Sequence, residues 1–131
     1  MSSRRVGRLI APTVVSAIVA LTLFAGCNGK LAGAVTARQA LEDATYDTQM
    51  KVYGTISMLG NVGVEGFLLS SDGRELMVYY GGMIEDNGGA WPSVDASWLK
   101  NGDRVVVTGE LKSAGKYRTQ NSFWSRSIAE Y

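Results

Sequence analysis

Histidine is missing from this chain, cysteine occurs once, at Cys27, and proline occurs twice, at Pro12 and Pro92. Without imidazole the chain lacks the side chain that most often moves protons near neutral pH. Ser–His and Cys–His nucleophile pairs and imidazole metal ligands go with it. A single cysteine forbids an intrachain disulfide. Charge of one sign is also lacking: 13 Lys and Arg stand against 12 Asp and Glu. Arg4, Arg5 and Arg8 lie at the very start, so the remainder is slightly acidic. That balance opposes non-specific nucleic-acid binding, which needs a basic field to neutralise phosphates. The expectation from these absences is a binding protein rather than an enzyme, with no cofactor and no metal.

What is present begins with an address. Arg4, Arg5 and Arg8 precede an uncharged run from Leu9 to Ala25, followed by Gly26 and Cys27. A basic start, an apolar run and a small-residue site form the layout of an export signal. Pro12, Thr13, Ser16 and Thr22 weaken the run as a permanent membrane span, which needs about 17–25 predominantly apolar residues. Leu23-Phe24-Ala25-Gly26-Cys27 resembles the bacterial lipobox, with Phe24 where that pattern usually has Leu. The resemblance implies that Cys27 is diacylated and becomes the first residue of a lipoprotein. Residues 1–26 would then be the signal peptide, 27–35 a tether and 36–131 the folded domain. The domain would sit at the cell membrane on its extracytoplasmic face, periplasmic or extracellular. An uncleaved single-span anchor is the alternative, and it leaves the domain on the same side.

Behind the tether, Thr36-Ala37-Arg38-Gln39 has capping-box form, and good helix formers continue to Ala44. From Gln49 the period changes to two: Met50, Val52, Gly54, Ile56 and Met58 alternate with Lys51, Tyr53, Thr55 and Ser57. Val64–Ser70 and Leu76–Tyr80 read as two further strands around Asp72-Gly73, a hairpin signal. Gly81–Ala90 reads as a mobile loop. Pro92 could open a short helix with Val94 and Trp98 on one face, stopped at Asn101-Gly102-Asp103. Arg104–Leu111 and Ser122–Glu130 complete five strands.

The fold class expected is mainly β: a five-stranded OB-fold Greek-key barrel with a short N-terminal helix and a short helix between strands three and four. Gly54 and Gly109 would mark the bends that a small barrel needs. Leu99 and Trp98 would cap the barrel from below. A generic meander is the alternative.

Three segments carry a resemblance: Val52–Ile56 (VYGTI), Gly66–Tyr80 (GFLLSSDGRELMVYY) and Leu99–Leu111 (LKNGDRVVVTGEL). Together with the helix TARQALEDA they resemble bacterial extracytoplasmic OB-fold proteins, namely the small exported bacterial OB-fold family and tRNA-anticodon-like OB lipoproteins. The likeness covers residues 36–130 and implies a fold more than a function. Neighbouring haem-chaperone OB proteins attach haem through a histidine, which this chain does not have.

OB-folds usually bind on the face of their second and third strands, between two loops. The candidate ligand residues are Phe67 and Tyr79 on that face, with Lys112, Lys116, Tyr117 and Arg118 in the 112–121 loop, where cations flank an aromatic. Ordinary barrel filling and an ordinary solvated loop are the plainer readings of the same residues. Trp91, Trp98 and Trp124 read as core or plugs. Glu85, Asp86 and Asp95 could supply oxygen ligands but lack the spacing of a calcium loop. The expected partners are the membrane, through the lipid, and an envelope protein, peptide or oligosaccharide. A nucleic-acid-binding domain using the 112–121 loop is the second reading.

Overall fold

A computed structural model describes residues 29–63, 65–84, 88–114 and 121–131. The expected signal 1–26, Cys27, Val64, Glu85, Asp86, Lys116, Tyr117 and Arg118 lie outside the described residues. The chain divides into two compact units, Met1–Ala32 and Gly33–Tyr131. In the first unit, Gly29–Leu31 is a 3-10 turn, with the Ala32 amide donating to the Gly29 carbonyl at 3.2 Å. Among the described residues no helix is long and apolar enough to cross a membrane.

The second unit is mainly β. Its elements are β1 (Ala34–Thr36), α1 (Ala37–Asp43), β2 (Gln49–Ser57), β3 (Gly66–Ser71), β4 (Arg74–Tyr79), β5 (Met83–Ile84), β6 (Ala90–Trp91), β7 (Arg104–Lys112) and β8 (Ser122–Glu130). β2 keeps its sequence alternation: Val52, Gly54 and Ile56 are buried while Lys51 and Thr55 face water, because successive strand side chains point to opposite faces. β3 and β4 meet at Asp72 (φ 54°) and Gly73 (φ 77°). Left-handed backbone at both central positions is what a tight hairpin turn matching strand twist requires.

The strands close on themselves. β2 pairs antiparallel with β3 through Thr55–Ser57 and with β7 through Gln49–Thr55. β3 pairs with β4 and β7 with β8, both antiparallel. β4 then meets β8 in parallel at Val78–Phe123 and Tyr79–Trp124. The ring β2–β3–β4–β8–β7 is therefore hydrogen-bonded all the way round. Its inside holds Val52, Ile56, Phe67, Leu69, Leu76, Val78, Val105, Val107, Leu111 and Phe123. Full burial of one such large side chain stabilises by about 1.5–3 kcal/mol. The two expected bend glycines sit where backbones crowd. A Cβ on Gly54 would lie 2.5 Å from the Ser70 carbonyl oxygen, and one on Gly109 would strike the Trp124 carbonyl. The β7–β8 register breaks beside Gly109, as a strand-interior glycine often marks.

α1 closes one end of the ring. The Thr36 hydroxyl accepts from the Gln39 amide at 3.0 Å, and Ala44, left-handed at φ 48°, ends the helix. Ala37 and Ala40 are buried against the core. The Ala37 amide donates to Ser71 Oγ at 2.7 Å, and that hydroxyl donates to the Tyr53 carbonyl at 2.6 Å. α1 is thereby tied to the β3 end and to β2 at once.

Three expectations are corrected. The tether is partly structural, since Ala34–Thr36 pairs in parallel with Lys51–Tyr53. The Gly81–Ala90 stretch contributes the paired β5 and β6. The short helix after Pro92 does not form: residues 92–96 carry no regular structure, and 97–98 make a turn. Asp95 Oδ1 accepts from the Ser97 amide at 3.0 Å, a local bond that competes with the helical ladder. Leu99 from this stretch still reaches the core, while Trp98 is 38% exposed.

Candidate binding surface

β3 and β4 present two different faces. Phe67, Leu69, Leu76 and Val78 point into the ring, and the opposed pairs Leu68–Met77, Ser70–Glu75 and Gly66–Tyr79 lie outside. Leu68, Met77 and Tyr79 are half-buried and give this outer face an apolar middle. Phe67 was expected on the binding face; at 0% exposure it is core, and its ring lies 6.1 Å from that of Tyr80 at 22°. The one-residue offset between Phe67 and Leu68 decides which of them water can reach.

Tyr79 does sit on the outer face. Gly63 and Gly66 lie against its ring: a Cβ on Gly63 would be 2.6 Å from Tyr79 Cε1, and one on Gly66 would be 2.9 Å from Cδ1. Beside the ring is a hollow of about 410 Å³ lined by Gly63, Glu65, Tyr79, Gly81, Gly82 and Met83. Glu65 also borders a second hollow of about 360 Å³, with Tyr80 and Ser93–Ser97. Asp95 lies there, and the Ser97 amide beside it holds its carboxyl below the usual carboxylate value of 3.8. No group of three or more His, Cys, Asp or Glu among the described residues could hold a metal ion.

Next to Tyr79 in the ring comes Trp124 on β8, which pairs with Glu110 on β7. Trp91 of β6 packs on Trp124 edge-on, with ring centroids 5.6 Å apart at 78°. The Trp91 indole N–H donates to the Ser125 carbonyl at 2.9 Å, and Ser125 Oγ donates to the Tyr79 carbonyl at 2.9 Å. Trp91 and Trp124 are buried, as the sequence reading had them. Both, however, lie outside the ring core and bury each other on its outer surface.

Cations surround this indole pair. Arg126 stands 4.0 Å above the Trp91 ring, and Lys112 Nζ lies 5.0 Å from Trp91 and 5.4 Å from Trp124. Lys112 Nζ donates to Asp47 at 2.9 Å and to Glu110 at 3.2 Å. Glu110 also faces Arg126 at 3.8 Å. Lys112 was expected in a solvated binding loop. Instead it is the last residue of β7 and 6% exposed. A buried ammonium needs such partners, because an unpaired one is costly. Nearby, the Asn121 amide nitrogen donates to the Tyr46 hydroxyl at 2.9 Å. Sequence reasoning missed Glu110 and Arg126, because Glu110 lies on a different strand from Trp124 and Arg126 follows Trp91 by 35 residues, so spacing carried no signal.

The surface offers aromatic and apolar contact with hydrogen-bonding groups close by, which suits binding. The chain matches no family model, and no curated protein matches it.

Proposed function

We propose that the chain is a non-catalytic OB-fold binding or adaptor module, held through a lipid on Cys27 at the outer face of a bacterial membrane. The observation that carries the reading is the strand ring. Its order β2–β3–β4–β8–β7, with a parallel β4–β8 closure, agrees with a five-stranded Greek-key barrel of that class. Here α1, from the N-terminal side, plugs the barrel end that the expected second helix would have filled. The outer face of β3 and β4, with Leu68, Met77 and Tyr79, is the ligand surface. Its ligand is an envelope protein, a peptide or an oligosaccharide. The basic start, the Leu9–Ala25 run and the LFAGC site support the anchor. Among the described residues of the 112–121 loop, Lys112 is buried and ion-paired, which does not support the nucleic-acid reading.

A photo-crosslinking residue placed at Met77 of the full chain in native membranes tests the ligand surface. Glu42, on exposed α1, serves as the control position. An adduct specific to Met77, lost on Leu68→Asp, is expected. Equal adducts at both positions would overturn the surface. Separately, Cys27→Ser should abolish incorporation of labelled palmitate, and a retained label would remove the lipoprotein reading.

A further inference from the structure

The hollow beside Tyr79 has a floor, a wall and one charge. Tyr79 supplies a half-buried ring, Met83 a half-buried thioether, and Gly63, Gly81 and Gly82 bare backbone. Its volume of about 410 Å³ falls in the range of about 300–1,000 Å³ usual for ligand sites. The charge comes from Glu65. Its carbonyl accepts from the Tyr80 amide at 2.9 Å, which pins the backbone. Its side chain lies against Gly81, where an added Cβ would stand 2.8 Å from both Glu65 Cβ and Oε1. Gly81 is not left-handed, so glycine serves there as room for a close approach. The missing side chain at position 81 keeps the Glu65 carboxylate at the hollow.

That carboxylate has no cation of its own. The ion pairs among the described residues engage Glu42, Asp47, Asp72 and Glu110, and Glu65 is in none of them. The outer face next to it leans the same way. Its opposed pairs Leu68–Met77, Ser70–Glu75 and Gly66–Tyr79 include a second acid and no Lys or Arg. The complement of such a face is a cation with apolar neighbours. An aromatic ring and a carboxylate together suit a guanidinium, which stacks on rings and meets carboxylates through a planar fork. The apolar stem behind it can lie along Met83. A sugar fits less well, because each hydroxyl taken from water needs a partner. Of the six lining residues, only Glu65 and Tyr79 carry strong hydrogen-bonding side chains.

We propose that this hollow is an arginine subsite: it takes the guanidinium of a peptide ligand, stacked on Tyr79 and paired with Glu65, while the flanking residues lie on Leu68 and Met77. The proposal rests on the outer-face reading and narrows its ligand to a basic peptide.

The test titrates the full chain, in detergent, with acetyl-Leu-Arg-Leu-amide and with its citrulline counterpart, which keeps the shape and loses the charge. NMR signals of the Gly63, Gly81 and Gly82 amides report on the hollow, and the Met77 methyl reports on the face. The arginine peptide should shift both sets saturably, and the citrulline peptide should bind about tenfold more weakly, having lost the ion pair and the cation–π contact. Glu65→Gln should weaken the arginine peptide about fivefold, the loss of one exposed ion pair, and leave the citrulline peptide unchanged. Tyr79→Phe should bind as the unaltered chain does, and Tyr79→Leu about fivefold more weakly. Should Tyr79→Leu fail to fold, Glu65→Gln, a change on an exposed residue, decides alone. Equal affinity for the two peptides, or an arginine peptide indifferent to Glu65→Gln, would overturn the proposal. So would a neutral disaccharide that shifts the three glycines at lower concentration than the arginine peptide does. The face and the subsite can fail separately. A Met77 photo-adduct that survives Glu65→Gln undiminished would sink the subsite and leave the face standing. A chain with no Met77 adduct that still binds the arginine peptide at Gly81 would do the reverse.

Discussion

Inside the ring, Val52, Leu69, Val78 and Phe123 meet without a polar side-chain atom among them. Outside the ring, Trp91 and Trp124 meet with Lys112, Glu110 and Arg126 around them. The first region is held by area and close packing, which are non-directional. The second is held by bonds that each need a particular partner at a particular angle. The ring can therefore tolerate swaps that conserve volume. The cluster depends on identity. Function is more readily sought in the second kind of region than in the first.

Deleting material from the ring should cost most. Phe67→Ala should destabilise by about 3–5 kcal/mol, the usual loss for a buried phenylalanine, measured by urea unfolding. A loss below about 1 kcal/mol would mean that Phe67 is not core, and the contrast between the regions would break. Cutting the cluster should cost less. Lys112→Ala leaves Glu110 and Asp47 without their ammonium, but Asp47 is largely in water, so about 1–3 kcal/mol is expected. The Lys112→Ala change should also shift Trp fluorescence, whereas Phe67→Ala should do so only on unfolding.

The smallest effect is at the chain's last residue. Tyr131 packs edge-on against Tyr53 at 6.0 Å, with Arg104 5.3 Å from its ring. Burial raises its phenol above the ordinary value of 10.0, against the lowering effect of Arg104. Since the neutral form is favoured in the folded state, the stabilisation is fully present below the unfolded value. It is lost as pH rises through the folded one. A spectrophotometric titration should find one phenol ionising later than free tyrosine, and Tyr131→Phe should remove it. A titration unchanged by Tyr131→Phe would place the late phenol elsewhere.

Much of the ring was legible in the sequence because its signals are local. The alternation over Met50–Ile56 and the Asp72-Gly73 turn both appear as read, and β8 spans the expected Ser122–Glu130. Gly54 and Gly109 stood out because a glycine inside a strand has few other uses; both sit where backbones crowd, and the β7–β8 register breaks at Gly109. What escaped was set by distance. Ala34–Thr36 has no period of its own and is a strand only because the Lys51–Tyr53 edge is there to pair with. Pro92, Val94 and Trp98 suggested a helix until the Asp95 carboxylate took the Ser97 amide. Phe67 and Lys112 were misplaced by about one residue of register or strand end, and at period two that inverts inside and outside. The seat of Trp91 was invisible because its indole bonds to Ser125, far off in the chain. The loop residues Lys116, Tyr117 and Arg118 lie outside the described residues, so their part in the surface rests on the sequence alone.

The ring has one further consequence, for the order of assembly. β2 finds its long partner β7 only after most of the chain has followed it, and the closing contact joins β4 to β8, the last strand. A chain emerging N-terminus first from a ribosome can make the β3–β4 hairpin early. It cannot close the ring until Ser122–Glu130 is out. Such non-local closure folds slowly compared with local contacts. The same topology that finally buries the core thus keeps the ring open until the last strand has been made.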